Sequence, residues 1–338
     1  MLRYDREDII RELSDEEFEK LAMEIFYYQA VFNPVYREYL SYLKKDLRRV
    51  TCIEEIPFLP IDFFKSHQVL CEKEEEDTAN AMKWKQEFWS SGTTGSKRSK
   101  HFIKDPDWYE ASFLKGFELF YGDPHDYAFL ALLPNYMENP HSSLIYMVDH
   151  FIKISGHPLS AFYLDDFVDL EKSLAQLETS RQKYILLGVS YALLDFSMQN
   201  EFKLDSGIIM ETGGMKGRRK EITREELHQQ LGGQLGVHMI HSEYGMSELL
   251  SQAWSKGRGR FYTPPWMKVM IRDSYDPFSY LKNGQSGGIN VIDLANIYSC
   301  SFIETRDLGR MHSDGSFEVL GRYDHSEVRG CNLMVGEV

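Results

Sequence analysis

From Ser14 onward, SDEEFEKLAMEIFYYQAVF sets its apolar residues at helical spacing, and Glu17 stands three residues after Ser14, as a capping box requires. Helix is therefore expected across 5–45, broken or restarted at Pro34. IPFLPIDFFKSHQVL (56–70) has two prolines among clustered aromatics and reads as extended chain over a core, and CEKEEEDTAN (71–80) as a solvated loop. WYEASFLKGFELFYG (108–122) returns to the helical period and stops at a glycine.

Short apolar runs then alternate with helical stretches. YAFLALLP (127–134), KYILLGVS (183–190), GIIMETGG (207–214) and VHMIHSEYG (237–245) read as strands. Between them SSLIYMVDHFIKIS, DLEKSLAQLET and TREELHQQLG read as helices, which predicts a largely parallel sheet with crossover helices. Past residue 260 the texture is strand and turn: GGINVIDLAN, SCSFIETRDLG, GSFEVLGRYD and EVRGCNLMV. The expected division is an N-terminal helical segment (1–50), an α/β core (51–260) and a β-rich portion (261–338), with no internal repeat.

A chain of 338 residues that is 43% hydrophobic can fill a real core. Its 38 basic against 52 acidic residues give a net charge of −14, a field that repels nucleic acid and anionic membranes, so neither is an expected partner. Any phosphate bound here must be a small ligand held by local donors. Cys52, Cys71, Cys300 and Cys331 share no metal-finger spacing, and MLRYDREDII has no apolar signal region. No run of about 18 apolar residues predicts a membrane span, and the reducing cytoplasm is the expected location.

Four stretches carry candidate chemistry. In FWSSGTTGSKRSKH (88–101), glycines among hydroxylated residues can turn successive backbone N–H groups toward one anion, and Lys97, Arg98 and Lys100 add charge. A Walker loop separates its glycines more widely than Gly92 and Gly95, so the stretch is either another kind of phosphate cradle or a surface turn. SEYGMSEL (242–249) follows a strand and reads as opening a helix near Ser247 and Glu248. A ligand site at the carboxyl end of the strand and an ordinary helix cap both fit it. Asp307 and Arg322 read as turn residues, suited to sugar hydroxyls and phosphate or to a surface ion pair.

Taken in order, SSGTTG (Ser90 to Gly95), Gly213-Gly214, YGMSE (Tyr244 to Glu248), TRD (Thr305 to Asp307) and GRYD (Gly321 to Asp324) resemble the motif series of the adenylate-forming (ANL) superfamily. From residue 56 on, IPFLPIDFFK, TTGSKRSKH, LPNYMENPHSSLIYM, ETGGMKGRRKEITREEL and GRYDHSEVRGCNL are similar to its acyl-protein synthetase (LuxE-like) family. The resemblance implies an α/β fold of the superfamily's N-terminal type, with mostly parallel sheets flanked by helices and a β-rich C-terminal subdomain. The sequence ends 14 residues after Asp324, so the superfamily's C-terminal lid is expected to be missing.

The resemblance further implies ATP and Mg²⁺ as cofactors and activation of a carboxylic acid, a fatty acid in the narrower family. Ser90, Ser91, Gly92, Thr93, Thr94 and Gly95, with Lys97 and Arg98, would hold the terminal phosphates. Ser247 would bond the α-phosphate and Glu248 the metal; Tyr244 would stack on adenine, with Gly213, Gly214 and Gly245 giving close approach. Asp307 would take the ribose hydroxyls and Arg322 ribose and phosphate. Arg306 stands where the superfamily has a glycine.

The acyl group would pass to a thiol. Cys331 is the candidate, with Arg329 to favour its thiolate, and a buried strand residue is the alternative reading. The implied partner is an acyl-accepting protein such as an acyl reductase or carrier protein. A CoA ligase and a non-catalytic nucleotide- or acyl-binding subunit remain open. His141 and Ser142 read as pocket lining or a helix cap, Cys300 as core, and His238 and His241 as lacking a third metal ligand.

Overall fold

The computed structural model describes residues 4–72, 84–91, 97–134, 140–213 and 222–322. The chain opens with helices α1 (Arg6–Ile9), α2 (Asp15–Phe32) and α3 (Pro34–Tyr42). The expected capping box is present: Ser14 and Glu17 each accept the other's backbone N–H. Asn33 ends α2 and caps α3, whose first residue is Pro34, so the proline restarts the helix. Phe18, Leu21, Ala22, Ile25 and Phe26 face the core at helical spacing, while buried Gln29 and Asn33 hold backbone carbonyls of Asn296, Ile297 and Ser299.

The 56–70 segment is extended only at β1 (Leu59–Pro60); the chain then turns through α4 (Phe63–Ser66), which buries Phe64 against the His101 ring. A hairpin of β2 (Gln86–Trp89) and β3 (Lys100–Ile103) follows, then α5 (Asp107–Tyr121). Next come β4 (Ala128–Leu132), α6 (Ser143–Ser155), β5 (Ala161–Phe162), α7 (Phe167–Ser180), β6 (Tyr184–Val189), α8 (Ser190–Ser197), β7 (Gly207–Thr212), α9 (Arg224–Leu235) and β8 (His241–Tyr244). The expected strand and helix alternation is there.

These strands form one sheet among the described residues, ordered β5-β4-β6-β7-β8 and parallel throughout, with β9 (Ala253–Ser255) antiparallel on its edge. Every residue of β4 and β6 is buried, as continuous apolar runs dictate for parallel strands covered on both faces. A second sheet is built from β10 (Met267–Arg272), β11 (Ser286–Asp293), β12 (Phe302–Met311) and β13 (Phe317–Arg322) in antiparallel pairs, with β1 parallel to β12. The fold is thus mixed α/β with a parallel sheet flanked by helices and a β-rich portion. Among the described residues no helix is long and apolar enough to cross a membrane.

Candidate functional site

Strands β7 and β8 run side by side, with Thr212 opposite Glu243, so their carboxyl ends carry Gly213 and Tyr244 to one edge. Gly213 has φ 70°, a conformation that favours glycine. Its carbonyl accepts from the Ser190 hydroxyl at 3.2 Å.

The helix expected near Ser247 and Glu248 is not formed. Past Tyr244 the chain makes one tight turn, closed by Leu249 N donating to Met246 O at 3.1 Å, and returns antiparallel as β9. Side chains from remote segments take the turn's backbone groups. Asp293 accepts from the amides of Leu250 (2.8 Å) and Ser251 (3.0 Å), Asn296 donates to the Glu248 carbonyl (2.8 Å), and His101 Nδ1 bonds the Ser247 carbonyl (2.9 Å).

Asp307 and Arg322 lie on strands, correcting the turn reading: they are directly opposed in the β12–β13 pair. Tyr244 donates its hydroxyl to Asp307 Oδ2 at 2.8 Å, and Arg322 Nε lies 3.6 Å from Oδ1, outside hydrogen-bond distance. The Tyr244 ring is buried edge-on against Phe261 and Phe317. Its hydroxyl is held well above the ordinary phenol range by burial and by the Asp307 charge.

Glu248 is buried, and burial raises its carboxyl above the usual value; the Ser99 hydroxyl and the Arg322 charge draw it down, and Asp307 pushes it up. The fold therefore assembles Tyr244, Glu248, Asp307 and Arg322, from three separate stretches of sequence. A buried carboxylate with a desolvation penalty suits a hard divalent cation such as Mg²⁺, which takes oxygen donors and uses one or two carboxylates plus phosphate. Among the described residues no cluster of three or more His, Cys, Asp or Glu forms a self-sufficient metal site.

Ser90 and Ser99 close the neck of the glycine-rich loop: Ser90 N donates to Ser99 O (3.1 Å) and Ser99 N to Ser90 Oγ (3.0 Å). Ser91, Lys97 and Arg98 are exposed. Gly92, Thr93, Thr94, Gly95, Gly214 and Cys331 lie outside the described residues. Because Ser99 reaches Glu248, the neck of this loop and the turn after β8 meet.

Beside the neck, Trp89 stacks on His141 with ring centroids 4.2 Å apart, and Lys100 Nζ sits 4.5 Å from the Trp89 ring. Ser142 is the N-cap of α6, accepting from Ile145 N. Arg306, the departure from the superfamily glycine, meets one carboxylate oxygen of Asp62, Oδ2, with both Nε (2.8 Å) and Nη2 (2.7 Å), joining β12 to the segment that follows β1. Cys300 is fully buried, its thiol pushed up to about 12, as a core residue should be.

Two buried acids escaped the sequence reading. Glu211 on β7 is met by Arg224 Nε (3.2 Å), His228 Nε2 (3.5 Å) and the Ser190 hydroxyl (3.1 Å). Burial pushes its carboxyl up, but His228 and Arg224 outweigh this and hold it below the usual range. Glu243 on β8 accepts from the Thr212 hydroxyl and is pushed up to about 7 by burial, against that hydrogen bond and with the Glu211 charge adding to it. A Cβ added at Gly245 would lie 2.3 Å from Glu243 Oε1, so the glycine clears room for this carboxyl. The signal was an acid inside a strand, after an apolar run in IIMETGG and among polar residues in MIHSEYG.

A larger cavity, about 370 Å³, lies between the start of α2 and β10, lined by residues including Phe18, Pro264, Met267 and Phe317. None of the sequence-derived site residues lines it.

No protein-family profile matches the chain, and no curated protein matches it in sequence. Solved structures do match in fold. The open conformation of 2-hydroxyisobutyryl-CoA ligase, in complex with 2-HIB-AMP and CoA, has a TM-score of 0.63 at 10% identity over 92% of this chain and 70% of that one. ATP-bound MatB from Rhodopseudomonas palustris has 0.52 at 16% over 70% and 47%. MenE, the O-succinylbenzoate coenzyme A synthetase of Bacillus subtilis in complex with ATP and magnesium ion, has 0.50 at 16% over 70% and 49%. The chain spans about half the length of the last two. These neighbours are adenylate-forming superfamily ligases, and at such identity the likeness establishes a shared fold.

Proposed function

We propose that the chain is an ATP-dependent acid–thiol ligase. A substrate carboxylate oxygen attacks the α-phosphorus of ATP, the bond to pyrophosphate breaks, and acyl-AMP forms; a thiolate then attacks the acyl carbon and AMP leaves. The observation that carries this reading is the meeting of Tyr244, Asp307, Arg322 and Glu248 beside the neck of the Ser90–Ser99 loop.

Asp307 and Arg322 would take ribose and phosphate oxygens, and Tyr244, fixed by its bond to Asp307, would stack on adenine. Ser247 would bond the α-phosphate, with Gly213, Gly214 and Gly245 flanking the base. Glu248 would hold Mg²⁺, which offsets charge on the departing pyrophosphate. Lys97 and Arg98, exposed at the loop, would meet the terminal phosphates together with Ser90, Ser91, Gly92, Thr93, Thr94 and Gly95. Positioning and charge stabilisation carry the step.

The substrate is a fatty acid and the acceptor a protein cysteine, either Cys331 or a thiol on a partner such as an acyl reductase or carrier protein; the motif resemblance supports this choice. Coenzyme A is the second reading, favoured by a structural neighbour, 2-hydroxyisobutyryl-CoA ligase, in complex with both 2-HIB-AMP and CoA.

Carboxylate-dependent exchange of pyrophosphate into ATP tests the activation step. Glu248→Gln should lower its rate on the order of a hundredfold. No exchange with any fatty or aromatic acid would leave a non-catalytic binding subunit. Cys331→Ser separates the acceptors: it stops self-acylation if the cysteine is the acceptor, and leaves product formation intact if coenzyme A is.

A further inference from the structure

Apart from the single bond that closes it, the turn carrying Ser247 and Glu248 is held by side chains distant in sequence. His101 meets the Ser247 carbonyl at 2.9 Å and Asn296 Nδ2 donates to the next carbonyl, that of Glu248, at 2.8 Å. A carbonyl only accepts, so His101 must carry its proton on Nδ1, and in the neutral ring Nε2 is then a bare lone pair. His101 is completely buried, and burial pushes its imidazole down to about 4, against the Ser247 carbonyl and the neighbouring Asn296, which favour the charged form. The neutral ring follows.

His101 Nε2 and Asn296 Oδ1 are both buried without a hydrogen-bond partner, and both residues line one small cavity of about 10 Å³. What the polar pair supplies is a grip on two consecutive carbonyls.

Each grip leads somewhere. His101 is on β3, two residues beyond Ser99, whose hydroxyl draws the Glu248 carboxyl down against burial. The chain leading into β3 therefore bears on the acid of the turn through Ser99, and β3 itself holds the turn's main chain through His101. Asn296 is anchored from behind, its own carbonyl accepting from Gln29 of α2 at 3.1 Å.

We propose that His101 and Asn296 are positioning residues that fix the Ser247–Glu248 peptide relative to the exit of the Ser90–Ser99 loop, so that the Glu248 carboxylate is aimed before any ligand arrives. This rests on the reading of Glu248 given above, and the test separates the two.

His101→Phe keeps a buried planar ring and removes the donor; His101→Asn retains an amide N–H where Nδ1 stood. Deuterium uptake by the 246–252 peptide should speed up roughly tenfold in His101→Phe and return to within about threefold of wild type in His101→Asn. With Mg²⁺-ATP and acid, the kcat of pyrophosphate exchange should fall roughly tenfold in His101→Phe with an unchanged KM for the acid, and recover in His101→Asn.

Unchanged uptake and unchanged kcat in folded His101→Phe overturn the inference, as does a His101→Asn variant no better than His101→Phe. If the wild type shows no pyrophosphate exchange, the proposed activity fails while the positioning claim is decided by deuterium uptake alone. If His101→Phe does not fold, Asn296→Ala releases the same turn through the Glu248 carbonyl and is judged by the same outcomes.

Discussion

At the ends of β7 and β8, Glu211 and Glu243 are fully enclosed, and each has protein partners: Arg224, His228 and Ser190 for the first, Thr212 for the second. On the β12–β13 hairpin, Asp307 keeps a Tyr244 hydrogen bond while the facing Arg322 side chain is 84% exposed. The difference follows from sheet type. Parallel strands are covered on both faces, so an acid placed there must be satisfied inside the protein before any ligand binds. A hairpin at a sheet edge can leave a charge to solvent, available to a phosphate. Substitutions at the buried acids and their partners should therefore register in stability and those in the hairpin in ligand affinity, so the two can be pulled apart.

The largest expected loss is at Arg224. Arg224→Met leaves Glu211 buried beside a histidine and a hydroxyl, and removing one partner of a buried pair costs about 3–5 kcal/mol; the value should fall at the low end, because Arg224 is part-exposed. Urea denaturation measures it, and a loss below about 1 kcal/mol would show that Glu211 does not depend on the pair.

Glu243 comes next and makes stability fall with pH. Its folded carboxyl sits at about 7 against an ordinary 4.5, so between those values the folded state binds more protons than the unfolded one, and stability declines as pH rises through the window. The decline amounts to roughly 3 kcal/mol between pH 4 and 8. Glu243→Gln should remove this slope, so wild type and variant should converge at acid pH and separate in the variant's favour above pH 7. Parallel curves would mean that Glu243 titrates at the same pH in the folded and the unfolded chain.

Gly245→Ala should cost about 1–3 kcal/mol, since its methyl would meet the Glu243 carboxyl. The penalty should largely vanish when combined with Glu243→Ala, a non-additivity that a thermal-melt double-mutant cycle reads directly. Full additivity would place the clash elsewhere.

Much of this architecture could be read from the chain because the strands announce themselves. YAFLALLP and KYILLGVS are apolar runs too short for helices, and they became the central parallel strands β4 and β6. The turn at Ser247–Glu248 was misread as a helix start because a hydroxyl before an acid is a local cap signature. What decided otherwise was nonlocal: Asp293, Asn296 and His101 take the backbone groups that a helix would have used. Asp307 and Arg322 read as turn residues because TRDLG and GRYD are polar and glycine-bearing, yet their pairing with each other across β12 and β13 outweighs that preference. Glu211, Glu243 and His101 stayed hidden for a related reason. A polar residue in an apolar run declares a partner without naming it, and their partners lie 13 to 146 residues away in sequence.

The smallest effect on stability, and the sharpest test of the contrast, belongs to Arg322. With the side chain largely in water and its nitrogen 3.6 Å from Asp307, the pair contributes little to the fold, and Arg322→Ala should shift unfolding by less than about 0.5 kcal/mol. If the hairpin is the ligand-facing region, the same variant should raise the KM for ATP roughly tenfold in pyrophosphate exchange, because a charge-assisted bond to phosphate or ribose is lost. Arg322→Lys should recover only part of that, since an ammonium keeps the charge without the planar fork. A variant that destabilises as much as Gly245→Ala would make Arg322 a structural residue. One that leaves both stability and KM unchanged would remove it from the nucleotide site and leave Asp307, held by Tyr244, as the hairpin's sole contribution.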